Sequence, residues 1–260
     1  MILRRLGNKS KMAKQIQEYF PPHKIYIEPF FGAGGMFFNK PKVKYNIVND
    51  NDSDVFNLFQ VVMNQKDELV EAFRIMPIHQ DLLEYWKKNK ETEPIRKALR
   101  FLFLKNMTFF GQGSSIRYGN NDSKSMLLNR VDFVHDLITD VQFTNCCYTD
   151  FFKKYSFTDN YKHSAFIYAD PPYLNTGDSR TYESKWTQKD SEDLFECLIE
   201  TKCKFAISEF DNPIILKLAE KHNLQVIELG ERRNLKNTRM EILIINYPVP
   251  KKVNQMILNF

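Results

Sequence analysis

At 260 residues the chain can bury a sizeable core, either as one large α/β domain or as a domain carrying an insertion. Its 27% charged and 43% hydrophobic residues are those of a soluble globular protein, and no apolar run approaches the ~20 residues that cross a bilayer. The net charge of +5 favours a polyanionic partner.

The N-terminus, MILRRLGNKSK, lacks the apolar core of a signal peptide. Met12, Ile16 and Phe20 predict a helix over 9–20, closed by Pro21-Pro22. A short apolar strand, Ile25-Tyr26-Ile27-Glu28, then runs through Pro29-Phe30-Phe31 into Gly32-Ala33-Gly34-Gly35. A brief helix and a second strand ending in Asp50 complete a βαβ unit. Helices are predicted over 55–70, 81–88 and 94–105, the last with Pro94 at its start. Residues 107–130 are rich in Gly and polar side chains, contain the turn signal Gly119-Asn120-Asn121-Asp122, and read as a hairpin or ordered loop. Strands resume at 141–147, 165–169, 203–208, 224–229 and 241–247, with helices at 187–201, capped by Thr187, and after Asn212-Pro213. The expectation is a Rossmann-like, doubly wound, mostly parallel α/β sheet formed by residues 1–52 and 141–260. Residues 53–140 are expected to form an inserted, largely helical subdomain carrying the hairpin. Cys146, Cys147, Cys197 and Cys203 have neither a zinc spacing nor a paired framework. They read as free thiols in a reducing cytoplasm, with no metal site.

Ligands of an open parallel sheet sit off the carboxyl ends of its strands. Three features fall there: the turn FFGAGG, Asp50 and the corner Asp170-Pro171-Pro172-Tyr173. Asp50 lies ~20 residues past the turn, the spacing of an acid that binds a ribose hydroxyl; a helix N-cap is its other reading. The corner ends a strand because proline donates no N–H. An amine conjugated to an aromatic ring is a poor nucleophile, since its lone pair is delocalised. Two acceptors at its N–H groups, Asp170 and the Pro171 carbonyl, would favour pyramidalisation and expose that lone pair. Pro172 would stiffen the corner, and Tyr173 would stack on the ring that carries the amine.

DPPY after an apolar strand, with FFGAGG ahead of it, resembles the S-adenosylmethionine-dependent amino-methyltransferases. Asp in first position fits the group acting on adenine N6. The order of Arg5-Leu6-Gly7-Asn8-Lys9, Gly-rich turn, insertion and late DPPY is similar to the alpha group, the Dam family of DNA adenine methyltransferases. The resemblance covers nearly the whole chain. It implies that Arg5, Gly7, Asn8 and Lys9 serve the cofactor side, Lys9 reaching either the cofactor or the catalytic pocket. Phe31, Gly32 and Gly34 would shape the methionine end, Asp50 would bind the ribose, and Asp150-Phe151 would meet the cofactor adenine, with Asp170 shared between cofactor and catalysis. Ser208 resembles a later pocket motif. Two positions depart from the family pattern: Arg5 replaces a usual aromatic, and Ser208-Glu209 stands where Ser-Asn is more common.

The resemblance also implies a double-stranded DNA partner and a flipped adenine. The polar stretch 175–185, with Arg180 and Lys185, is expected to order over that base. Arg117, Lys124 and Arg130 flank the expected hairpin as candidate guanine or phosphate contacts, and Phe109 or Tyr118 are candidate wedges. Arg96, Arg100 and Lys105 on one helix are either phosphate contacts or a solvated face. An RNA adenine methyltransferase and a catalytically silent binding module are the alternatives. Whether a companion restriction endonuclease is a further partner stays open in the sequence.

Overall fold

The computed structural model describes residues 2–3, 8–117, 119–155, 159–174, 186–233 and 238–249. Its centre is a seven-stranded sheet built from β1 (Ile25–Glu28), β2 (Tyr45–Asn49), β3 (Gln142–Thr144), β4 (Ala165–Ala169), β5 (Lys204–Phe210), β6 (Gln225–Arg233) and β7 (Thr238–Ile245). The strand order is β3-β2-β1-β4-β5-β7-β6. The first five strands pair in parallel, and β7 is antiparallel to both β5 and β6. Every residue of β1 and β4 is buried, as expected of parallel strands covered on both faces.

Side chains alternate across the pleat, so one sequence feeds two cores. Tyr26, Phe166, Tyr168, Ala206, Leu243 and Ile245 face one layer. That layer includes α1 (Ala13–Gln17), α2 (Ser53–Asn64), α3 (Lys66–Ile75), α4 (Gln80–Lys88), α5 (Pro94–Asn106) and α6 (Asn120–Ile138). Ile27, Ile167, Ala169, Phe205, Ile207 and Ile244 face the opposite layer. On that side α7 (Tyr148–Lys154) contributes Phe151, α9 (Gln188–Glu200) contributes Leu194, Phe195 and Leu198, and α10 (Pro213–Lys221) contributes Ile215 and Leu218; α8 (Asp159–Lys162) is a single turn leading into β4. Thr187 caps α9 in a capping box with Asp190, and Asn212 caps α10 ahead of Pro213, as their sequence signals predict.

Three stretches differ from the sequence expectation. The helix expected over 9–20 is a 3-10 turn, Lys9–Lys11, followed by the short α1. The helix over 55–70 breaks at Gln65, whose φ of −141° is non-helical, into α2 and α3. The expected hairpin shrinks to one antiparallel bridge, Thr108 with Ile116, closed by the Arg117 N–H donating to the Met107 carbonyl at 2.9 Å. Residues 123–130, expected in that hairpin, belong to α6. The reason is the burial of Leu127, Val131, Val134 and Ile138, whose helical spacing packs α6 on α2 and α3. Gly119, at φ 72°, turns the chain into the helix.

No helix among the described residues is long and apolar enough to cross a membrane. All four cysteines are free thiols.

Candidate active site

The parallel strands bring the three sequence features to one edge. After β1, Gly32 (φ 55°) and Gly34 (φ 69°) adopt the left-handed conformation that favours glycine, and the Phe31 N–H donates to the Asn49 carbonyl at 2.9 Å. Asp50, at the end of β2, ties this turn down: Oδ2 accepts the Gly32 N–H at 2.6 Å and Oδ1 accepts the Asp52 N–H at 2.8 Å. The cap of α2 is Asp52, which accepts the Asp54 N–H at 3.0 Å, so Asp50 is not the N-cap of that helix.

The turn is closed on one side and open on another. A Cβ added at Gly34 would lie 2.3 Å from the Phe38 ring, and one at Gly35 would lie 2.0 Å from Asn8 Oδ1. A Cβ at Gly32 would meet nothing within 4 Å. That open space beside an acid at the neighbouring strand end fits the S-adenosylmethionine implied by the sequence. Asn8 also caps the short 3-10 turn Lys9–Lys11, its Oδ1 accepting the Ser10 N–H at 2.9 Å, and so sets the direction in which Lys9 leaves the backbone.

Lys9 crosses to the corner at the end of β4. Its Nζ lies 2.7 Å from Asp170 Oδ1, 3.4 Å from Glu241 Oε1 and 4.5 Å from the centre of the Tyr173 ring. The Tyr173 hydroxyl donates to Glu241 Oε1, and Arg232 Nη1 lies 3.5 Å from Glu241 Oε2. The Lys9 and Glu241 side chains are 2% and 0% exposed, so their mutual pairing and the contacts to Asp170 and Arg232 offset a large desolvation penalty. The Tyr173 ring stands edge-on to Phe210 at 4.7 Å. Burial, then the nearby Asp170 and Glu241 charges, push the Tyr173 phenol well above its ordinary range, which keeps it a hydrogen-bond donor. Ser208 is buried, with its Oγ 2.8 Å from the Tyr168 hydroxyl.

Other sequence candidates lie elsewhere. Asp150 is exposed in the first turn of α7, 3.4 Å from Lys153, and Phe151 is wholly buried against Phe152 and Tyr155. Arg96 pairs with Glu91 at 3.3 Å, and Arg100 Nε donates to the Trp86 and Asn89 carbonyls, both at 3.0 Å, bracing α4 against α5. Lys105 Nζ lies 5.8 Å from the Phe101 ring. Arg117 donates to Ser123, Lys124 donates to the Met76 carbonyl at 2.6 Å, and burial lowers the Lys124 pKa. Phe109 and Arg130 are exposed. Arg5, Gly7, Tyr118, Arg180, Lys185 and the whole stretch 175–185 fall outside the described residues. Among the described residues, no cluster of His, Cys, Asp or Glu forms a metal site.

Sequence reasoning placed Glu241 at the start of the closing strand without a site role, and passed over Arg232 and Phe110. The signal for Glu241 was a lone acid opening the apolar run ILII. Phe110 is 70% exposed at φ 51°, beside Phe109 and ahead of Gly111.

With this geometry in view, comparison with known proteins identifies the relatives. A DNA adenine methylase of Escherichia coli (strain K12) is 24% identical over 240 residues, covering 86% of this chain and 85% of the relative. A DNA adenine methylase of Haemophilus influenzae is 30% identical over 186 residues, covering 64% and 61%. An rRNA methyltransferase structure from Streptomyces viridochromogenes superposes with a TM-score of 0.42 at 10% identity, covering 93% and 85%. The family model for "D12 class N6 adenine-specific DNA methyltransferase" matches residues 6–235. The chain belongs to this D12 class: it is an S-adenosylmethionine-dependent methyltransferase acting on the N6 amine of adenine in DNA.

Proposed function

We propose that Asp170, Pro171, Pro172 and Tyr173 hold an adenine flipped out of duplex DNA, with Lys9 and Glu241 fixing the corner from behind. The observation that carries this reading is the position of the Lys9 ammonium, 2.7 Å from Asp170 and 4.5 Å above the Tyr173 ring, at the ligand edge of the sheet. Lys9 engages Asp170 Oδ1, so Oδ2 is the oxygen assigned to one N–H of the adenine amine. The Pro171 carbonyl accepts the other. Together they draw the nitrogen towards a pyramidal geometry and turn its lone pair out of the ring. Tyr173 stacks on the base and fixes its plane, so that most of the rate comes from orientation.

S-adenosylmethionine, when bound, supplies an electrophilic methyl group. Phe31, Gly32, Gly34 and Asp50 are the residues assigned to hold it, with the Asp50 carboxylate aligned by Gly32 and Asp52.

The helices of 53–140 are the assigned target-recognition subdomain. Phe109, Phe110 and Arg130 present aromatic and positive surface there, which suits a bent or opened duplex.

The test is incubation with radiolabelled S-adenosylmethionine and mixed-sequence duplex DNA, followed by digestion to nucleosides. Label in N6-methyladenosine from the duplex, and not from RNA of the same sequence, is the expected result. Label from RNA alone would overturn the duplex reading.

A further inference from the structure

Behind the catalytic corner lies an acid that the mechanism does not use. Glu209 is 1% exposed on β5, two residues from Ile207 and hence on the same face of the sheet, away from Tyr168 and Ser208. Its Oε2 accepts the N–H of Leu174 at 3.2 Å, the first residue past the corner. Its Oε1 accepts the N–H of Phe210 at 2.9 Å, and the Phe210 ring in turn stands edge-on to Tyr173. One carboxyl group therefore ties together the chain that leaves the corner and the strand that carries the ring packed against it.

We propose that Glu209 is a positioning residue, clamping the backbone at Leu174 to β5 and so fixing the Tyr173 ring for the stacked adenine. The proposal rests on the methyl-transfer reading above and adds a support residue to it. Leu174 is itself buried, so its N–H cannot turn to water if the clamp is removed.

Burial favours the neutral form of this acid, whereas the two N–H bonds of the clamp favour the charged one. The charged groups around it are Asp170 at the end of β4 and Glu241 on β7, with Lys9 and Arg232 bound to that pair from beyond. Burial pushes the Glu209 carboxyl up to about 8, against the opposing pull of the Phe210 and Leu174 N–H groups, with the Asp170 and Glu241 charges adding smaller upward contributions. Below that pH each oxygen still has a lone pair for its backbone N–H. Above it a further negative charge develops beneath the corner.

The experiment compares wild type, Glu209→Gln and Glu209→Leu by steady-state methylation of duplex DNA across pH 6–9, and by hydrogen exchange at the Leu174 amide. Gln keeps an acceptor and cannot ionise; Leu fills the volume and accepts nothing. The expected result is that Glu209→Gln keeps kcat within about threefold at pH 7 and loses the alkaline decline of wild type. Glu209→Leu should lose at least about tenfold in kcat with KM for the cofactor unchanged, and its Leu174 amide should exchange at least about tenfold faster. A Glu209→Leu enzyme with wild-type kcat, or a Glu209→Gln enzyme as impaired as Glu209→Leu, would overturn the proposal. The exchange measurement reads the clamp without turnover, so a wild-type protein that transfers no methyl group would count against the mechanism and leave the clamp to be judged on its own.

Discussion

Asp170 is the side chain on which the proposed chemistry rests most directly, because it is the acceptor assigned to the amine and its Oδ1 is held by Lys9. Asp170→Ala should lower kcat by at least about a hundredfold, the scale of a lost hydrogen-bonding group at the reacting centre, while the dissociation constant for duplex DNA measured by anisotropy stays within about threefold. Retained activity would remove Asp170 from the mechanism. Tyr173 separates two roles. Tyr173→Phe keeps the stacking ring and gives up the bond to Glu241, for a cost of about 1 kcal/mol, whereas Tyr173→Ala loses the ring as well and should be worse in single-turnover rate. Equal losses would show that the hydroxyl governs. Glu209 also makes a prediction about stability. Its folded pKa of about 8 exceeds the ordinary 4.5, so its contribution is fully present below 4.5 and is lost as the pH rises through about 8. Denaturant titrations should show wild type losing stability relative to Glu209→Gln across that interval.

At the scale of elements, much was readable because local signals and global packing agree. The apolar strands ending in Gly32, Asp50 and Asp170, the Thr187 cap and the Asn212-Pro213 start all announce themselves in neighbouring residues. Asn212→Ala should therefore lower the melting temperature in proportion to a lost cap, about 1 kcal/mol, with methylation intact at lower temperature. The start of α6 was misread because Gly119-Asn120-Asn121-Asp122 serves equally as a hairpin turn and as a helix beginning. Only the partners of Leu127, Val131 and Val134 decide between them, and those partners are α2 and α3, far back in the chain. The Lys9–Glu241 pairing was illegible for the same reason. No window of sequence contains both residues. The Gly-rich turn carries a sharper test: Gly35→Ala would place a Cβ 2.0 Å from Asn8 Oδ1, displacing the segment that aims Lys9. It should cut kcat more than it lowers thermal stability, as read by parallel rate and melting measurements.

For the whole molecule, the excess of positive charge predicts how it meets its substrate. Binding to duplex DNA should weaken linearly in log–log salt titrations, with a slope of about −0.9 per phosphate contacted, and Arg130→Ala should flatten that slope by about one. The sheet order adds a different kind of consequence. β7 runs against its neighbours, so its beginning, and with it Glu241, lies at the edge where the parallel strands end. The same site takes Lys9 from a segment that precedes β1, far earlier in the sequence. At about 5–20 residues per second, a ribosome needs roughly ten to fifty seconds to travel from one residue to the other. Throughout that interval the nascent chain carries its lysine, then its glycine turn, then its DPPY corner, with no finished pocket. A prematurely terminated product would inherit the same condition. The ion pair therefore joins segments far apart in sequence, so a product that stops before Glu241 holds Lys9 and Asp170 without the third member of their cluster.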